Sequence, residues 1–497
     1  MRFLFIAIAL LSYGCEFGTD RSVIVKPNYN LLGNCDRPDL AKASAIIVNA
    51  LCGTIEVAEN PADPNGRRIS LNIMLLPATS SAVRPDPIFF LAGGPGQSAV
   101  DTGVFVFSRL NETRRERDIV LVDQRGTGES NPFECDLGET NHGFVRESEE
   151  ALHLALENLK ICLSNYKGNP SYYTTPIAMD DLNHVREQLG YREINLLGIS
   201  YGTRAALVYM RQHGDTVRSA ILDGLAPPTM RIPANIARDA DAAFSKLLVD
   251  CINQAHCRNA FPNLEKHFDE LMQRLKVSPE KVSLTHARTG EPIEGHIDAK
   301  TLNGILRNVL YDRFLSTLIP LSIEEAYQGN YQPLASLALI FAPEEPIIDL
   351  GMMASVLCAE DMRVTHTANP TNRFDNQIYD LLDPICKFWP HGEVPENYYE
   401  PVSSVIPTLL LSGTLDPVTP PKYGWEAAET LGNSQHIVVA GVGHGVTLQG
   451  CMPRKIAEFI AQPNPASFDA TCTAKLRRSK FFTSFAGPVP ITSLHHD

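Results

Sequence analysis

Seven short apolar runs, each closed by turn residues, stand out along the chain. They are "RISLNIMLLPA" (68–78), "DPIFFLAGG" (86–94), "RDIVLVDQRG" (117–126), "EINLLGIS" (193–200), "RSAILDG" (218–224), "IPTLLLSGTLD" (406–416) and "QHIVVAGVGHG" (435–445). Runs of this length and composition predict strands. Helical patterns lie between several of them, as in "MDDLNHVREQLG" (179–190), with an acidic first turn, and "RAALVYMRQHG" (204–214). Strands alternating with helices predict an α/β fold with a mostly parallel central sheet. From 229 to 400 the rhythm changes to helix-like stretches such as "IARDADAAFSKLLVDCINQ" and "LEKHFDELMQRLKV", mixed with polar loops and prolines. Sheet-like runs resume afterwards. The interval therefore reads as a large, mainly helical cap inserted between core strands, with core segments at 30–228 and 401–475 and a peripheral tail at 476–497. A chain of 497 residues is too long for one simple core, which fits this division.

The first fifteen residues, "MRFLFIAIALLSYGC", place one arginine before an apolar run from Phe3 to Leu11. That run is too short to span a bilayer as a helix and fits an export signal over 1–15. The stretch resembles a bacterial lipoprotein signal ending at Cys15, although Ser12 and Tyr13 depart from the usual pattern. Two readings stay open. Cys15 carries a lipid and attaches the protein to a membrane, or the segment is a plain secretory signal. The expected location is the bacterial periplasm or cell envelope, alternatively the exterior.

Ten cysteines remain beyond Cys15, enough for five bridges in an oxidising compartment. Sequential pairing is the simplest arrangement: Cys35 with Cys52, Cys135 with Cys162, Cys251 with Cys257, Cys358 with Cys386, and Cys451 with Cys472. A net charge of −14 argues against a general nucleic-acid binder, since phosphate contacts need Lys and Arg.

The chemistry concentrates at Gly198-Ile199-Ser200-Tyr201-Gly202. A Gly-x-Ser-x-Gly turn between a strand and a helix holds its serine in a strained conformation and exposes the hydroxyl. The bland alternative is a serine capping the helix. A serine hydroxyl needs a base. In folds that use this turn the acid and the base follow the serine in the chain, and Asp416 and His444 both lie in loops after apolar runs. His444 would take the serine proton, and Asp416 would orient and stabilise the imidazole. Asp223, after the strand that follows the turn, is the rival acid. Gly93-Gly94-Pro95-Gly96 opens from a strand and can bring a backbone N–H close to substrate. The N–H groups of Gly94 and Tyr201 are the expected oxyanion donors. Asp123, Arg125 and Gly126 are expected to shape the floor of the site. No HExxH, GxxxxGK[ST] or GxGxxG after a strand occurs, and a Ser-His-Asp mechanism requires no cofactor.

Together "GGPGQS", "DQRGTGES", "GISYGT", "SGTLDPVTP" and "GVGHG", in that order, resemble the α/β-hydrolase serine peptidases of the prolyl and tripeptidyl aminopeptidase family. The resemblance spans about residues 40 to 475. The spacing and the cysteines are closer to the exported tripeptidyl branch. Ala92 stands where many relatives have a histidine before the glycines, a departure from the proline-specific branch. The resemblance implies an exopeptidase that acts on short peptides and recognises their free amine. An ammonium group in a semi-enclosed site needs carboxylates. Within "SVLCAEDMR" the resemblance points to Glu360, with Asp361 beside it, as that anchor. Glu324 and Glu325 are weaker candidates and read as a surface face. Two other readings compete with the peptidase. One is a carboxylesterase or lipase on the same fold, disfavoured by the many charges in the cap. The other is a non-catalytic binding protein, disfavoured by the intact Ser200, Asp416 and His444.

Overall fold

The computed structural model describes residues 27–43, 45–133, 135, 149–285, 290–340, 348–363 and 373–488. The expected export signal and Cys15 lie outside the described residues. Eleven strands are present among them: β1 (Gly33–Asn34), β2 (Leu51–Ala58), β3 (Arg68–Leu76), β4 (Ile88–Leu91), β5 (Ile119–Val122), β6 (Ile194–Ile199), β7 (Val217–Asp223), β8 (Glu280–Thr285), β9 (Pro292–Ile297), β10 (Thr408–Gly413) and β11 (Ser434–Val439). Nine of them form one sheet in the order β1-β2-β3-β5-β4-β6-β7-β10-β11. The pairings from β5 through β11 are parallel, whereas β1, β2 and β3 join antiparallel at one edge.

The seven apolar runs are strands β3 to β7, β10 and β11. They read so clearly because helices cover both faces of the sheet, so successive side chains are buried along β4, β5 and β10 and most of β3, β6 and β7, while β11 is half-buried. Phe89 and Leu91 of β4 enter one apolar layer, and Ile88 and Phe90 enter the other. The pattern did not reveal β2, whose side chains alternate between buried and exposed toward its outer end. The segment between β7 and β10 is mainly helical and has its own apolar core, including Phe244, Phe268, Leu271 and Leu306. It also contains the antiparallel hairpin β8–β9, which helix-like periodicity did not suggest.

Parallel pairing matters for chemistry because it sends the carboxyl ends of β4, β6, β7, β10 and β11 to one edge. Asp223 closes β7, and the glycine loop, Ser200, Asp416 and His444 follow the ends of β4, β6, β10 and β11. Strand β10 lies between β7 and β11, so the loops carrying Asp416 and His444 emerge side by side.

Five disulfides join the ten cysteines in sequential pairs, Cys35–Cys52, Cys135–Cys162, Cys251–Cys257, Cys358–Cys386 and Cys451–Cys472. They fit a protein that matures in an oxidising compartment. No helix among the described residues is long and apolar enough to cross a membrane. Thiol titration of the denatured, unreduced protein without its first 26 residues should find no free thiol. Two or more free thiols per chain would contradict the pairing.

Candidate active site

Strand β6 ends at Ile199, and Ser200 follows with φ 59° and ψ −126°. That conformation is unfavourable for a residue with a side chain. It is held by its neighbours. Ser200 N donates to the Asp223 carbonyl at 2.8 Å, and the Ser200 carbonyl accepts from Thr203 N at 2.9 Å and Thr203 Oγ1 at 2.6 Å. The flanking glycines are sterically required. A Cβ at Gly198 would run into the Gly202 carbonyl, and one at Gly202 into the Leu91 carbonyl. The helix Tyr201–His213 starts directly after the serine, whose side chain makes no capping hydrogen bond. The capping alternative is thus excluded by geometry, and the hydroxyl is left available.

Asp416 and His444 meet. His444 Nδ1 lies 2.8 Å from Asp416 Oδ2, and Asp416 is fully buried. Val418 N and Thr419 N donate to Asp416 Oδ1 at 2.9 and 2.8 Å, and Thr419 Oγ1 donates to Oδ2 at 2.8 Å. Burial alone would push the Asp416 carboxyl up, but the facing imidazole and these donors hold it below its ordinary value. Burial likewise opposes charge on His444, yet the Asp416 carboxylate raises its pKa above the usual imidazole value. With Nδ1 engaged by the acid, Nε2 is the ring nitrogen free to serve as a base.

Asp223 does something else. Its carboxylate accepts from Val446 N at 2.9 and 2.7 Å and from Thr447 N at 2.6 Å. It fastens the loop that carries the histidine and makes no hydrogen bond to the imidazole. Tyr311, at the end of the cap helix Ala299–Leu310, supports that loop from the other side. Its carbonyl accepts from His444 N at 3.0 Å, and its ring meets the imidazole edge-on at 5.0 Å between centroids.

The glycine loop follows β4. Gly94 has φ +105°, open only to glycine without strain. Gly93 packs against Ser200: a Cβ there would sit 3.2 Å from Ser200 Cβ. The loop is anchored through Ser98, which caps the next helix and donates to Asp123 Oδ1 at 2.8 Å. Asp123 also accepts from Val100 N at 3.0 Å and Asn72 Nδ2 at 2.8 Å. Arg125 is buried in a two-pronged pair with Asp181, at 2.7 and 2.8 Å. These residues brace the site from below.

Glu360 and Asp361 are brought next to the elbow helix, but not as groups open to a ligand. Asp361 accepts from Arg204 Nη1 and Nη2 at 2.7 and 3.2 Å and from Ile232 N at 2.8 Å. Glu360 accepts from Thr175 N at 2.7 Å, from Thr175 Oγ1 at 2.8 Å and from the Tyr398 hydroxyl. Only 1% and 3% of these residues is exposed. The expected amine anchor therefore meets a physical obstacle, because protein donors already occupy all four carboxylate oxygens. Thr175 Oγ1 lies 2.6 Å from the Tyr201 hydroxyl, so Glu360 supports the residue that follows the serine. Glu324 and Glu325 are engaged elsewhere on the cap, with His267 at 2.7 Å and Asn330 at 2.6 Å.

Sequence reasoning missed Thr419, Tyr311, Thr175 and Tyr398. Thr419 lies inside "SGTLDPVTP" and could have been singled out. The others carry no local signal.

The sequence pattern of the alpha/beta hydrolase fold matches residues 86–450. Serine protease Hip1 of Mycobacterium tuberculosis is 26% identical over 462 residues, covering 85% of this chain and 87% of that protein. Tripeptidyl aminopeptidase of Streptomyces coelicolor is 24% identical over 462 residues, covering 85% and 82%. Carboxylesterase B of Mycobacterium tuberculosis is 28% identical over 453 residues, covering 83% and 84%.

Burial pushes the Glu360 carboxyl up from 4.5 to about 7, against the opposing pull of Arg204 and its hydrogen bonds. Between those values the unfolded chain binds fewer protons than the folded one, so stability falls as pH rises. Glu360→Gln lacks this titration. Its melting temperature relative to wild type should climb between pH 4.5 and 7 and then level off. A difference that stays flat with pH would contradict the assignment.

Proposed function

The chain belongs to the α/β-hydrolase fold family, and from that premise we propose that it is an exported serine exopeptidase acting near the free N-terminus of short peptides. The observation that carries the reading is the His444–Asp416 contact at 2.8 Å, on loops adjacent to a strained, uncapped Ser200. Serine-peptidase and aminopeptidase names among the relatives favour amide over ester substrates.

The steps follow from the groups. Ser200 Oγ attacks the scissile carbonyl while His444 Nε2 takes its proton. The carbonyl oxygen becomes an oxyanion, which the N–H groups of Gly94 and Tyr201 stabilise. The protonated imidazole, held by Asp416, then gives its proton to the leaving amine, and the C–N bond breaks. Water, deprotonated by His444, releases the acyl group and restores the serine. Glu360 contributes by holding Tyr201 through Thr175, and so keeps one oxyanion donor in place. The five disulfides support maturation outside the cytosol, and a lipid on Cys15 and a plain secretory signal are the two forms this proposal takes.

The carboxylesterase-named relative gives the competing reading a specific basis. A panel separates the two: tripeptide, alanine and proline chromogenic amides, their N-acetylated twins, and a short-chain ester. Cleavage of the free-amine peptides, lost in Ser200→Ala, is the expected result. Cleavage of the ester alone, or equal rates on free and capped peptides, would overturn the exopeptidase reading.

The base must be neutral to accept the serine proton. Because the folded site raises the His444 pKa, the acid limb of kcat/KM should lie above the ordinary value of ~6.5. Asp416→Asn should move that limb down and lower kcat by about 10⁴-fold. A limb that stays fixed in Asp416→Asn would show that another group sets it.

A further inference from the structure

Most deep arginines among the described residues are partnered. Arg125 pairs with Asp181, Arg204 with Asp361, Arg117 with Asp86 and Arg478 with Asp250. Arg114 and Arg211, which lack a carboxylate, are satisfied by backbone carbonyls. Arg307 differs. It lies on the cap helix Ala299–Leu310, partly exposed, and has no carboxylate or carbonyl partner among the described residues. Its one hydrogen bond, to Asn308 Oδ1 next to it, is long at 3.5 Å. Burial lowers its pKa, and the only opposing influence is Tyr311. Part of the side chain stays open to solvent, so its donor fork is free to meet something that carries an anion.

Position says what that something is. Arg307 and Tyr311 are four residues apart on one helix and share a face. The Tyr311 carbonyl accepts from His444 N at 3.0 Å, so this end of the helix abuts the loop that carries the base. The Tyr311 ring rests on His444 at 5.0 Å. His444 is the group that protonates the leaving amine, so this part of the cap walls the leaving side of the scissile bond. One helical turn is ~5.4 Å, which puts Arg307 roughly 10 Å from the imidazole. That is the reach of roughly three extended residues.

We propose that Arg307 is a substrate-binding residue that pairs with a carboxylate on the leaving portion of a short peptide. This deepens the peptidase reading and rests on it. The carboxylate is the peptide's own C-terminus or an acidic side chain, and both present the same planar anion to a guanidinium. In either case the enzyme favours peptides with an anion two or three residues beyond the cut.

The test uses matched pairs on the full-length protein. One pair is a short peptide with a free C-terminus and its C-terminal amide. The second pair is amidated throughout and carries Asp or Asn in the leaving portion. Wild type, Arg307→Gln and Arg307→Lys are compared by kcat/KM. We expect wild type to prefer the acid member of one pair by about 10- to 100-fold. The preference should fall to near unity in Arg307→Gln and be partly kept in Arg307→Lys. The pair that shows the effect identifies the source of the carboxylate. Serine-dependent hydrolysis without an acid preference, or an equal loss on both members in Arg307→Gln, would sink the proposal and leave the peptidase reading intact. If no peptide is cleaved, that reading fails. Titration of the same pairs into Ser200→Ala, with and without Arg307→Gln, then decides separately whether Arg307 binds a carboxylate: an acid preference lost with Arg307 supports it, and equal binding overturns it.

Discussion

The conformation of Ser200 is the constraint on which the site depends. A residue with a side chain held at φ 59° and ψ −126° costs about 1–3 kcal/mol and persists only where its surroundings leave no alternative. Those surroundings come from the sheet. Parallel pairing of β6 with β7 sets Ile199 opposite Asp223, and the next amide, Ser200 N, bonds to the Asp223 carbonyl. Thr203 adds a second clamp, donating to the Ser200 carbonyl and accepting from Ala226 N at 2.9 Å. The strained turn is thus tied to the exit of the neighbouring strand as well as to its own helix.

Two aspartates approach one imidazole region, and their surroundings divide the labour. Asp223 accepts only N–H groups of the loop beyond His444, so it fixes where the loop runs. Asp416 holds its own turn through both oxygens and offers Oδ2 to the ring as well. Removing either would disturb the histidine, but through different atoms. A similar division holds for the acidic pair of the cap. Asp361 neutralises Arg204, one turn along the elbow helix, while Glu360 reaches the Tyr201 hydroxyl through Thr175. The cap is therefore wired to the elbow by a buried charge pair and by a hydrogen-bonded chain.

Most of the core was legible because buried parallel strands announce themselves as continuous apolar runs, and because glycines mark the loops at their ends. Ser200, Asp416 and His444 each sit directly after such a run. Strand β2 escaped because one of its faces is partly wet, which breaks the run. Glu360 was visible as one of two adjacent acids, but its surroundings were not. Its donor Thr175 is 185 positions away in the chain. Tyr311 and Arg307 escaped for a related reason. Helical periodicity shows that a cap helix has a buried face, and says nothing about which core loop lies opposite its other face.

That opposite face ties the cap to the loops of the site. The cap touches the core on both sides of Ser200. Tyr311 meets the histidine loop, and Asp349 N donates to the Gly96 carbonyl at 3.0 Å on the glycine loop, where Ile348 also bridges Gln97. Lifting the cap as a rigid body would break bonds to both loops, and these are the loops that place the base and an oxyanion donor. Opening wide enough to pass a folded chain would therefore dismantle the machinery it is meant to serve. Under the peptidase reading, a site roofed in this way suits short, flexible peptides better than folded chains.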